Sequence, residues 1–229
     1  WIITDFALAD AISNKIVKHP IIGEVENAKE TPSERADVIY RDYIEAGIRR
    51  WRRYKEAMSR VKKNPIIFFM ANKTKEAEDI RVFLETKSDL KGKVLLIHTN
   101  LKGDISEKDW IKLKKESRSL DSSDDKYRAV VSVLMLREGW DVKNVNVIVG
   151  LRPYTSKANI LPEQTLGRGL RRMYREKDVP EFVSVVGTNA FMDFVESIKS
   201  EGVELDRKAM GEGTKPKSPI VVEIDKENK

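Results

Sequence analysis

The sequence predicts an α/β protein with a mainly parallel sheet flanked by helices. Three observations predict it. Short continuous apolar runs, such as Pro65–Ala71 (PIIFFMA), Ala129–Met135 (AVVSVLM) and Val145–Leu151 (VNVIVGL), have the composition of strands buried on both faces. Segments between them space their apolar residues three to four apart, as amphipathic helices do. The two kinds alternate, which is the order that right-handed crossovers between parallel strands require.

Taken in order, Asp5–Val17 places Phe6, Ala9, Ile12 and Ile16 on one helical face. Thr31-Pro32-Ser33-Glu34 reads as a capping box, with Thr31 as N-cap and Glu34 returning to it. A long helix to about Val61 is then expected, burying Ile44, Ile48, Trp51 and Met58 and carrying Arg49, Arg50, Arg52, Arg53 and Lys55 on its other faces. The strand Pro65–Ala71 leads to a helix over Lys75–Thr86, using Ala77, Ile80 and Leu84, and then to a strand at Val94–Thr99. A helix around Glu107–Ser117 precedes the strands Ala129–Met135 and Val145–Leu151. Next come a helix over Leu161–Met173, the strand Phe182–Gly187 and a helix over Ala190–Ser200, before a linker-like stretch at Gly211–Pro219. The expected organisation is a helical linker or extension over residues 1–63, an α/β domain over 64–201, and a linker or the start of a further element over 202–229.

Composition narrows the function. The 229 residues include no cysteine and two histidines, which argues against thiolate or histidine-rich metal sites and fits a reducing cytoplasm. No apolar run approaches the roughly 20 residues that span a bilayer. A net charge of +6 and a pI near 9.3 favour an anionic partner. The chain opens on Trp1 and closes in EIDKENK, so it is expected to be a piece of something longer.

In parallel sheets ligands gather beyond the carboxyl ends of the strands. There the sequence supplies Asn72, Lys73 and Thr74, then His98–Asn100, then Leu136–Val142, and finally the loop from Arg152 into the helix at Leu161. Such hydroxyls, amides and cations suit phosphate contacts, although the same residue types also favour ordinary turns. No G-x-x-x-x-G-K-[ST] loop is present, and no acidic strand end to hold magnesium. The helix LPEQTLGRGLRRM is the exception to this bland surface. Gln164, Gly167, Arg168 and Arg171 fall on one face, with Leu166, Leu170 and Met173 opposite. Gly167 costs about 1 kcal/mol against alanine in a helix, and it leaves room for close approach beside the arginines.

These residues carry a resemblance. QTLGRGLRR is similar to motif VI (Q-x-x-G-R-x-x-R) of superfamily-two helicases. VSVLMLREGWDVKNVNVIVGLR resembles motif V in the form found in helicase–nuclease (Res) subunits of type III restriction enzymes, and IIFFMANKTKEAEDI resembles motif IV. The similarity covers roughly Asp5–Ser200. It implies a second RecA-like, three-layer domain of an ATP-dependent DNA translocase, whose first domain, on the same polypeptide, carries the phosphate loop and holds ATP and Mg. Arg168 and Arg171 would be arginine fingers, and Gln164 would orient the phosphate or the attacking water. Gly139, Asp141 and Gly167 would border the nucleotide. Asn72, Lys73, His98, Thr99 and Ser132 would contact the nucleic-acid backbone, and Trp140 would pack the motif V loop. The implied partners are double-stranded DNA tracked along one strand and a modification (methyltransferase) subunit, with no membrane. This chain alone would not hydrolyse ATP, and nothing in it matches the nuclease of a Res subunit. A non-catalytic nucleic-acid- or protein-binding module of the same fold is the alternative.

Overall fold

The computed structural model describes residues 8–60, 63–97, 119–133, 142–151, 167, 169–174, 180–197 and 206–210. Seven strands form one sheet: β1 (His19–Glu24), β2 (Ile66–Met70), β3 (Val94–Ile97), β4 (Ala129–Ser132), β5 (Val145–Gly150), β6 (Phe182–Gly187) and β7 (Asp206–Ala209). Their order across the sheet is β3-β4-β2-β5-β6-β1-β7, and every neighbouring pair is parallel. The helices are α1 (Leu8–Ser13), α2 (Ala36–Ile39), α3 (Arg41–Ala57), α4 (Thr74–Glu85) and α5 (Asn189–Ser197).

The continuous apolar runs form strands because both faces of the sheet are covered. Along β2, Ile67 and Phe69 point into one core, with Ile44, Ile48 and Trp51 of α3 and Ile80 and Leu84 of α4. Ile66, Phe68 and Met70 point into the other, with Leu170 and with Phe191 and Val195 of α5. An apolar side chain fully buried in this way contributes about 1.5–3 kcal/mol, so two cores rather than one stabilise each central strand. Trp51 also finds a partner for its polar end: its indole Nε1 donates to Pro65 O at 2.8 Å, tying α3 to the entry of β2. The α/β class predicted from the sequence is the class observed.

Three local expectations differ. The capping box at Thr31–Glu34 does not form; these residues are exposed and the helix begins at Ala36. Its first N–H is satisfied from a distance, Ala36 N donating to the Asp79 carboxylate of α4 at 3.1 Å, so a tertiary partner replaces the local cap. The long helix breaks at Tyr40 into α2 and α3. Ile16 lies past the end of α1 and is half exposed, so it is not part of an apolar stripe.

The larger difference concerns residues 1–63, read as a helical extension. They supply β1, inserted between β6 and β7, while α3 covers the sheet's centre. Residues 206–209, within the stretch read as a linker or a further element, form β7, which pairs with β1. The helix expected at 107–117 lies outside the described residues.

Candidate functional site

The carboxyl edge is level. Ile97, Ser132, Met70, Gly150 and Gly187 align across β3, β4, β2, β5 and β6. The ladder runs one residue further, with Ala71 N donating to Ser132 O at 2.8 Å, Leu151 N to Met70 O at 3.0 Å and Thr188 N to Gly150 O at 3.0 Å. The turn from β2 into α4 therefore rises directly from this edge with Asn72 and Lys73 on it. Asn72 N donates to the Glu76 carboxylate at 3.0 Å, which holds the turn in place, while Lys73 is exposed as the residue before the first helical turn. Ser132 is also at this edge but buried, 4% exposed, so its hydroxyl is not presented as a surface contact. His98, Thr99, Gly139, Trp140 and Asp141 lie outside the described residues.

Gln164 and Arg168 lie outside them as well; Gly167, Gly169 and the stretch 170–174 are described. Gly167 is helical and exposed, and a Cβ built on it would meet nothing among the described residues within 4 Å. Its neighbour differs, since a Cβ on Gly169 would come within 2.5 Å of Ile148 Cδ1 on β5. The helix thus lies close to the sheet at Gly169 and opens outward at Gly167. Leu170 is 1% exposed and anchors the apolar side as expected. The expected helical face ends early, however: Leu170 is a turn, and Arg171, half buried, follows in non-helical backbone.

The chain after Arg171 is fixed at the opposite, amino edge of the sheet. Glu181, immediately before β6, accepts from Arg172 Nε at 2.9 Å, from Met173 N at 2.6 Å and from Tyr174 N at 3.1 Å. Arg172 and Glu181 form a buried ion pair, with side chains 8% and 2% exposed. Arg172 Nη1 also donates to Lys15 O at 2.6 Å, and Lys18 N donates to Leu170 O at 2.7 Å. Lys18 is itself fully buried, its Nζ donating to Lys143 O and Val145 O at 2.5 Å each. Burial lowers its ammonium from 10.5 to about 7, against the opposing pull of the Glu181 and Asp121 carboxylates.

Two loci are therefore distinct in the structure. Asn72, Lys73 and Ser132 stand at the carboxyl ends, whereas the backbone that carries Arg171 is tied to the amino ends. Glu181, Lys18 and the inward role of Arg172 escape the sequence reading. The only signal there was a glutamate and a lysine each placed just ahead of a strand. The basic helix also reads differently once folded. Arg50 of α3 is buried and donates through Nε to Ser184 Oγ at 2.8 Å, and Arg52 makes two contacts to Asp89, at 2.7 and 3.0 Å. Arg50 and Arg52, two of the arginines placed on the outer faces of this helix, are thus committed to partners within the chain.

Among the described residues no cluster of His, Cys, Asp or Glu could hold a metal ion, and no helix is long and apolar enough to cross a membrane.

No protein-family model matches the chain, and no curated protein matches it significantly. Solved structures do. The structure of S. cerevisiae Dbp5 bound to RNA and ADP BeF3 matches over 90% of this chain and 44% of its own length, at a TM-score of 0.55 and 14% identity. The C-terminal domain of the DEAD-box protein Dbp5 matches over 84% and 90%, at 0.50 and 16%. The Mss116p DEAD-box helicase domain 2 bound to an RNA duplex matches over 87% and 64%, at 0.50 and 13%. At these identities the likeness is one of fold: the parallel sheet with helices on both faces is a RecA-like α/β domain.

Proposed function

We propose that this chain is the second RecA-like domain of an ATP-driven nucleic-acid translocase of superfamily two, and that within it the chain belongs with the helicase–nuclease subunits of type III restriction enzymes. The observation that carries the reading is the Gln164, Gly167, Arg168, Arg171 pattern on this fold, with open surface over Gly167 and a buried carboxylate holding the backbone just past Arg171. A helical glycine costs about 1 kcal/mol against alanine, and nothing among the described residues requires Gly167; close approach by a second domain gives that cost a use. The finer assignment is supported by Glu138-Gly139-Trp140-Asp141, the motif V spelling of the restriction-enzyme subunits.

When bound, ATP supplies a γ-phosphoryl group whose transfer to water develops negative charge on its oxygens. Arg168 and Arg171 place fixed positive charge against it, and Gln164 orients the attacking water. Gly139 and Asp141 border the nucleotide and couple it to the loops that grip nucleic acid. Asn72 and Lys73 lead into the N-terminus of α4 and place an exposed ammonium at the carboxyl edge for a phosphate backbone, and His98 and Thr99 are further candidates for the same contact. Ser132, being buried, steadies the end of β4 instead of touching a phosphate. Magnesium is held by the domain that carries the phosphate loop. Under this reading the substrate is duplex DNA tracked along one strand, with a methyltransferase subunit as a protein partner.

The test uses the complete protein. Arg168→Ala and Arg171→Ala are each expected to lower DNA-stimulated ATP hydrolysis by about 10³-fold or more, the worth of an arginine finger. Unchanged hydrolysis in both variants refutes the finger assignment and favours a non-catalytic binding module. Stimulation by RNA but not DNA refutes the restriction-enzyme assignment alone.

A further inference from the structure

Glu181 is almost wholly buried, and its carboxylate accepts from three consecutive residues. One oxygen accepts from Arg172 Nε and Tyr174 N, the other from Met173 N. Its own carbonyl accepts from His19 N at 2.8 Å, which joins it to the entry of β1. On the other side of Arg171, Leu170 O accepts from Lys18 N, and Arg172 reaches across to Lys15 O. Residues 170 and 172–174 are therefore bound from both sides, and Arg171 sits in the middle of the bound stretch.

We propose that Glu181 is a positioning residue for Arg171, a proposal that rests on the translocase reading above. The helix ends before Arg171, so helical geometry does not aim that residue. The carboxylate does so instead. Burying a charge is expensive, and well-packed apolar residues of similar size often stabilise a fold as well or better. What a carboxylate adds is direction: two backbone N–H groups and one guanidinium converge on it, which fixes the course of the chain on leaving Arg171. The need for such precision is large, because a displacement of about 1 Å in a catalytic group can cost about 10²-fold in rate.

The experiment is a double-mutant cycle in the complete protein, reading DNA-stimulated kcat and the KM for ATP. Glu181→Gln keeps the shape but turns a donor toward Met173 N–H and removes the charge facing Arg172. It is expected to lower kcat by about 10- to 100-fold with the KM for ATP changed by less than about twofold. With Arg171 already replaced by alanine, adding Glu181→Gln is expected to cost almost nothing further, since both act through one group. Arg172→Lys keeps the charge but not the geometry; it goes through the same cycle and decides the question if Glu181→Gln does not fold. An unchanged kcat, or losses that simply multiply, overturns the positioning role while leaving the finger assignment intact. Full activity in Arg171→Ala overturns both.

Discussion

At Lys18 a long cationic side chain is fully buried at the amino edge, with its ammonium between two backbone carbonyls and lowered by burial to about 7. Unfolded, the same lysine keeps its proton to about 10.5. Between those values the unfolded chain binds a proton that the folded chain has released, so stability rises with pH across that window. Below about pH 7 both states are protonated and the cost of burying the charge is fully present. The expected slope is about 1.4 kcal/mol per pH unit for one proton, seen as an increase in urea-unfolding free energy between pH 7.5 and 9.5. Lys18→Met leaves the carbonyls of Lys143 and Val145 without this donor and changes the absolute stability. The measurement is therefore the slope, which the substitution should flatten. A wild-type slope no steeper than that of Lys18→Met would show that the ammonium stays charged when folded, held by Glu181 and Asp121.

Elements differ in how much of their cause lies within their own residues. α3, α4, β2, β5 and β6 were readable because each carries its own pattern: continuous apolar runs in the strands, three-to-four spacing in the helices. β1 has only two isoleucines between a proline and a glycine, and β7 reads Asp-Arg-Lys-Ala; neither spells a strand, and both form through hydrogen bonds that a neighbouring edge offers. The site divides in the same way. The spacing of Gln164, Gly167, Arg168 and Arg171 predicts one helical face but not that the backbone leaves the helix at Leu170, and the hold of Glu181 on residues 172–174 is a contact no spacing reports. Close packing between elements is similarly hidden. Gly150 and Gly187 end β5 and β6 side by side, and a Cβ on Gly150 would fall onto the ring of Phe191 from α5, which is 2% exposed. Gly150→Ala is expected to destabilise by about 1–3 kcal/mol, because the ring's rigid body has to move within a packed core. Gly167→Ala meets open space and should be neutral or stabilising by up to about 1 kcal/mol. Thermal melting of the two variants compares them directly. Equal shifts would mean that α5 seats more loosely on the strand ends than this packing requires.

For the whole molecule, the decisive feature is that β1 lies between β6 and β7. His19–Ile22 pairs with Phe182–Val185, and Ile21–Glu24 pairs with Asp206–Ala209, so strand pairs that close the sheet come from opposite ends of the chain. Ile21 points into the core that α3 and α4 share, and Ile22 into the core under α5. A segment bonded on both edges and packed on both faces has no separate way to open. Its amides should exchange only when the entire sheet unfolds. Hydrogen exchange is thus expected to place Ile21 and Ile22 in the same protection class as Val185 and Val147. Ile21→Ala should cost about 2–5 kcal/mol, as a core truncation in β2 would. A detachable N-terminal extension gives the opposite result, with β1 amides exchanging well before those of β5 and β6 and little loss from the substitution. The outcome also bears on the site. Lys18 and His19, which hold Leu170 and Glu181, stand at the threshold of β1. If β1 opens only with the whole sheet, the anchorage on both sides of Arg171 is as stable as the fold itself.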